Sequence, residues 1–232
     1  VVWALTAGLS LAGSHSVIRM GTEGAYPPWN YVDDNGEVAG FERELGDELC
    51  KRAELKCEWV INDWDSIIPN LVSGNYDTII AGMSITDERQ EKIDFTSNYT
   101  QPDPSSYVAA SEGADLSGGI IAAQSNTIQA AYIAGTGATL VEFATPEETI
   151  SAVRNGEADA VLADTSYLNP IVAEDSGLMF AGDKVLIGGG VGMGIRKSDA
   201  DLRDKFTAAI NSMKADGTLN ALIVKHEIGE TF

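Results

Sequence analysis

Two α/β lobes, each a sheet flanked by helices, are the architecture this sequence predicts, and three observations carry the expectation. Strand-like and helix-like segments alternate from residue 17 to residue 81, the pattern of a sheet with helices on both faces. The alternation begins again near Ile120 at a smaller scale. A glycine tract over 188–194 then returns the chain, and two helical segments close it. Crossings near 100–106 and 185–190 would leave a cleft able to open and close. The expected division is 17–102 plus 188–232 for the first lobe and 103–187 for the second, with 1–16 outside both.

The elements follow in order. Residues 17–21 read as the first strand. The loop at 22–31 (TEGAYPPWNY) is broken by Gly24, Pro27 and Pro28 and carries Tyr26, Trp29 and Tyr31, a rigid aromatic composition suited to a ligand wall. Asp33-Asp34-Asn35-Gly36 is a turn. Apolar residues at 41, 45, 49 and 53 predict a helix over 41–53. A strand follows at 58–61, then a loop at 62–65. Asp65 or Ser66 offers a cap for a helix over 67–73, which Gly74-Asn75 ends. The strand at 77–81 comes next. The loops at 22–31, 62–65 and 82–89 all follow strands, so they should share the carboxyl edge of one sheet, where ligands of such folds bind.

Residues 95–105 hold Pro102 and Pro104 and no helical period, and are read as the crossover. The second unit runs strand 120–123, polar loop 124–127, helix 128–134, strand 139–143, helix 147–155 with Pro146 in its first turn, strand 160–163 and helix 167–173. Helices over 198–215 and 219–225 finish the chain, separated by Asp216-Gly217.

Acidic residues outnumber basic ones by 35 to 15, for a net charge of −20. Such a surface repels nucleic acid and anionic membranes and favours cationic ligands. Cys50 and Cys57 have six residues between them. They read as a disulfide in an oxidising compartment, where closing so short a loop contributes roughly 2.5 kcal/mol, or as two free thiols in the cytosol. His15 and His226 have no metal-ligand spacing and read as surface or structural residues. Residues 1–12 (VVWALTAGLSLA) are apolar and followed by Gly13, Ser14 and Ser16. They are expected to be the remnant of an export signal, since about 12 residues cannot span a bilayer.

The stretch 82–89 (GMSITDER) follows the apolar run Thr78-Ile79-Ile80-Ala81. Ser84 or Thr86 can cap a helix whose first turn holds Asp87 and Glu88. Open backbone N–H groups, a hydroxyl and the Arg89 guanidinium together suit a small carboxylate. The glycine tract fails as a dinucleotide fingerprint, because Ile195 or Met193 stands where the third glycine belongs, and no Walker sequence occurs. GxSxG, HExxH and CxxC are absent as well, and two histidines leave few bases for nucleophilic catalysis.

Residues 21–31, 36–45 (GEVAGFEREL), 64–77, and 81–89 followed by Asp94-Phe95-Thr96 resemble, in order and spacing, the bacterial periplasmic amino-acid-binding proteins, the solute receptors of ABC importers. The likeness extends to 158–164 (ADAVLAD) and 215–219 (ADGTL), and so over nearly the whole chain after residue 17. The lysine/arginine/ornithine- and histidine-binding members are the most similar. The resemblance implies a type II two-lobe fold with the ligand in the interlobe cleft. It also implies no catalytic residue, cofactor or metal, and a monomer in the periplasm that hands an L-amino acid, lysine or arginine, to a membrane permease. Cys50-Lys51-Arg52 with Cys57 resembles the family's short disulfide loop. Arg89 would pair with the ligand carboxylate as a bidentate fork. Ser84 and the backbone at Gly82 would bind the α-amino and carboxylate groups, with Ala81 also at a ligand-binding position. Thr127 would donate to the carboxylate from the second lobe, and Asp164 would take the α-ammonium. Tyr26 and Trp64 would flank the side chain, where a cation gains roughly 0.5–2 kcal/mol per aromatic face, and Glu23 would meet its distal charge. Three residues depart from the family pattern: Ala81 in place of serine, Asn126 in place of glycine and Trp29 in place of phenylalanine. A dehydratase-type enzyme on the same fold and the ligand-binding module of a sensor are the alternative readings.

Overall fold

The computed structural model describes residues 16–232. His15 and the leader expected over 1–16 therefore lie outside the described residues, Ser16 excepted. Ile18–Thr22 is the middle of a parallel trio, flanked by Cys57–Ile61 and Thr78–Ile79. Gly194–Ile195 and Asp94–Phe95 extend this sheet in antiparallel pairing. The second sheet repeats the plan. Thr139–Phe143, Ile120–Gln124 and Ala160–Asp164 are its parallel trio, and Ser105–Ala109 and Met179–Val185 its antiparallel extension. In each sheet the strand beside the trio is the first one after the chain crosses from the other lobe. The sequence revealed none of these four antiparallel strands. Two have only two residues each, and Ser105–Ala109 is buried at every position, so these three show no period of two.

The aromatic loop at 22–31 is more ordered than its composition suggests. Ala25–Tyr26, Asn30–Val32 and Val38–Ala39 form a small antiparallel sheet. Pro27 and Pro28 sit at its first reversal, where no ladder N–H is lost. The helix Phe41–Arg52 forms as expected. Before Ile67–Val72 the chain makes a 3₁₀ turn, Trp64–Ser66, and neither Asp65 nor Ser66 caps that helix. Thr86 caps Asp87–Gln90 by accepting the Arg89 N–H at 3.2 Å. Thr127 caps Ile128–Ala134, and Thr145 with Glu148 forms a capping box on Pro146–Arg154. Thr165–Glu174, Ala200–Ala215 and Thr218–Lys225 complete the helices.

Phe206, Ile210, Met213, Leu219 and Ile223 of the last two helices pack with Met20, Phe41, Leu45 and Leu49. Burial of this apolar face returns the chain's end to the first lobe. Val108, Ala122, Ile150, Val161 and Leu168 form the second lobe's core. Cys50 and Cys57 are joined as a disulfide between the helix Phe41–Arg52 and the strand Cys57–Ile61. Between the lobes the two crossing segments touch. Thr100 bridges to Val191, and the Tyr99 N–H donates to the Val191 carbonyl at 2.8 Å. A Cβ on Gly190, at φ +87°, would stand 2.7 Å from the Thr100 carbonyl, so only glycine allows that approach. His226 contacts Glu44 and the edge of Phe41, a structural position.

Candidate functional site: the interlobe cleft

The carboxyl ends of both parallel trios face one cleft. Its small cavity is lined by Glu23, Tyr26, Trp64, Ala81, Gly82, Ser84, Arg89, Thr127 and Asp164. All nine residues named from the sequence thus meet in one place. Gln124, Ile128 and Gln129 also line it. Sequence reasoning passed over these three, although Gln124 ends a strand and the strand-end rule points to it.

The lobes are hydrogen-bonded across the cleft. The Tyr26 hydroxyl donates to Asp164 Oδ2 at 2.8 Å, and Gln124 Nε2 donates to Glu23 Oε1 at 2.6 Å. Arg89 Nη2 donates to the Asn126 carbonyl at 3.1 Å. At the rim, Asp65 Oδ1 accepts from Ser125 Oγ at 2.6 Å and from Asn126 Nδ2 at 2.9 Å. Asp65 therefore clasps the other lobe instead of capping its own helix. Trp29 Nε1 donates to Ser166 Oγ at 2.8 Å, a bond that phenylalanine at that position could not make. Asn126 has φ +57°, so the turn that asparagine was expected to tolerate is left-handed.

Several groups are already engaged. The Gly82 N–H, expected to be open, donates to Glu42 Oε1 at 2.6 Å. The Thr127 hydroxyl donates to the Gln124 carbonyl at 2.6 Å and accepts the Ala130 N–H at 3.1 Å. Tyr26 stacks on Tyr167 with 4.2 Å between centroids, and the Arg89 guanidinium lies 5.4 Å from the centre of the Trp64 ring. Arg89 Nη1 donates to the Ser84 carbonyl at 2.8 Å. Gln129 Nε2 holds Asp164 Oδ1 at 2.8 Å and Ser105 Oγ at 3.0 Å.

The electrostatics follow from burial. Desolvation lifts Glu23 to about 7, with nearby Asp63, Asp65 and Glu42 adding to the effect against the Gln124 hydrogen bond. Desolvation and the neighbouring Asp103 lift Asp164 to about 7, against Tyr26, Gln129 and Arg89. Burial lowers Arg89 to about 10, so it remains a cation, with Asp164 opposing the shift. Two carboxylates thus share the cavity with one guanidinium. The lining contains no thiol, histidine or second cation, and among the described residues no group of three His, Cys, Asp or Glu could hold a metal ion.

Two lobes bonded across a charged cavity are the layout of a receptor for a small solute. The chain belongs to the bacterial extracellular solute-binding proteins, family 3, whose model matches residues 18–229, and it is a binding protein rather than an enzyme. It is 33% identical to the lysine/arginine/ornithine-binding periplasmic protein of Escherichia coli over 95% of this chain and 91% of that one. It is 32% identical to the L-arginine-binding protein of Pseudomonas aeruginosa, over 86% and 83%. Among solved structures, a periplasmic His/Glu/Gln/Arg/opine family-binding protein from Silicibacter pomeroyi, in complex with lysine, is 76% identical with a TM-score of 0.89, over 90% of this chain and 96% of that one.

Proposed function

We propose that the cleft captures an L-α-amino acid with a cationic side chain, lysine foremost, and that the closed protein delivers it in the periplasm to the permease of an ABC importer. The cavity's charge count carries this reading. With both carboxylates ionised, as a bound cation would hold them, Glu23 and Asp164 oppose Arg89 alone, leaving one net negative charge. A zwitterion adds none, so a cationic side chain balances the site. The names of the relatives and the lysine complex agree with it.

Arg89, held over Trp64 and braced on Ser84, faces the ligand carboxylate. Thr127 joins through its backbone N–H, since its hydroxyl proton is taken. Asp164, oriented by Tyr26 and Gln129, receives the α-ammonium with Ser84 and the carbonyls at Ala81 and Gly82. Glu23 meets the distal cation between Tyr26 and Trp64. The first lobe comprises 17–102 and 188–232, the second 103–187. Closure is favoured only by a ligand that touches both lobes, because it must bind the closed state better than the open one.

Titration calorimetry with lysine on wild type and Arg89→Ala tests the reading. Wild type should bind, and the variant should lose at least about 2–3 kcal/mol, because the partner carboxylate is left buried and unpaired. No binding of lysine, arginine, ornithine or histidine by wild type, or an unchanged affinity in the variant, would overturn it.

A further inference from the structure

We infer that Glu42 is a positioning residue for the cleft: without lining the cavity, its carboxyl group fixes two of the three first-lobe ligand loops and ties them to the segment where the lobes cross. The inference rests on the ligand site proposed above.

Glu42 lies in the first turn of Phe41–Arg52 and is fully buried. Among the described residues no cation lies within ion-pair distance of it; burial pushes its carboxyl upward, against three hydrogen bonds from three separate segments. Oε1 accepts the Gly82 N–H at 2.6 Å and the Tyr99 hydroxyl in a short bond. Oε2 accepts Asn30 Nδ2 at 2.7 Å, and Asn30 Oδ1 in turn accepts the Gly24 N–H at 2.7 Å. One arm therefore reaches the turn beside Glu23 and Tyr26. A second reaches the turn that leads to Ser84 and Arg89. The third reaches Tyr99, whose N–H is bonded to Val191 where the outgoing and returning crossings meet.

A buried carboxylate lacking a cation is costly to retain. A neutral side chain could fill the same space, but it could not accept from all three donors. Asparagine 30 has committed its oxygen to Gly24, so only its NH₂ faces Glu42. An amide at position 42 would keep Gly82 and Tyr99 on its oxygen and turn its own NH₂ towards that of Asn30. Donor would face donor, and the turn at Gly24 would lose its support.

This arrangement yields a donor–acceptor swap. Glu42→Gln should weaken lysine binding about tenfold or more, the effect of one charged hydrogen bond, and should speed amide exchange at Gly24. Adding Asn30→Asp restores an acceptor opposite the new NH₂ and another for Gly24. The pair should bind within about threefold of wild type, with slow Gly24 exchange. Tyr99→Phe keeps the core volume and cuts only the arm to the crossing; it should weaken lysine and arginine binding by the same factor, and it guards against a misfolded Glu42 variant. Wild-type affinity in both Glu42→Gln and Tyr99→Phe, or a double variant that regains thermal stability without regaining affinity, would overturn the inference. If wild type itself binds no lysine, the ligand reading fails separately, and Gly24 exchange alone decides: faster in Glu42→Gln and slow again in the pair supports the role, and no change refutes it.

Discussion

At the scale of single residues, the cleft separates groups that supply charge from groups that orient it. Arg89, Asp164 and Glu23 supply charge. Gln129, Tyr26 and Gln124 hold the two carboxylates by hydrogen bonds of 2.6–2.8 Å. If Glu23 reads the distal cation, Glu23→Gln should weaken lysine by roughly tenfold and glutamine by much less, since only lysine loses a charged partner. Equal losses in calorimetry would remove Glu23 from side-chain recognition. Arg89 was legible because a guanidinium behind a capped turn declares its chemistry, whereas Glu23 and Asp164 stood out from the other acidic residues only through the family resemblance. The sequence did not show Gln129, whose amide matters only because the fold sets it 2.8 Å from Asp164.

Among the elements, the turn between Ile120–Gln124 and Ile128–Ala134 joins the lobes most directly. It meets Glu23, Asp65 and Arg89 through Gln124, Ser125 and Asn126. Asp65 stands outside the lining of the cavity, so its two bonds favour closure whatever the ligand. Asp65→Ala should therefore lower affinity for lysine and arginine by one common factor, about two- to tenfold, as the closed fraction falls. Unequal factors would show that Asp65 discriminates between ligands. As a sequence element, Asp65 looked like a helix cap, because local spacing cannot show a partner sixty residues away.

Across the whole molecule, closure buries two carboxylates together, and the consequence is a pH dependence. Glu23 and Asp164 titrate near 7 in the folded chain, against about 4 in an unfolded one. Between those values the folded protein holds protons that the unfolded chain has released. Stability of the empty protein should thus be highest on the acid side of this window and fall as pH rises towards 7. A cationic ligand returns both carboxylates to their charged form. Lysine binding should release protons near pH 6 and tighten as pH rises from about 5 to about 8, which calorimetry in buffers of different ionisation enthalpy will measure. Affinity that is flat across this range would show that neither carboxylate meets the ligand's charge. By itself, the sequence carried the α/β alternation, the doubled lobe plan and the carboxylate chemistry of 82–89, because periodicity, glycine placement and side-chain type are local properties, whereas Glu23, Tyr26, Trp64, Thr127 and Asp164 were legible only through the family resemblance. The tertiary structure alone decided the antiparallel strands at each crossing, the clasp at Asp65, the Trp29–Ser166 contact and the three-armed seat of Glu42. Each of these depends on backbone segments far apart in the chain arriving at hydrogen-bond distance, and a one-dimensional pattern carries no record of that.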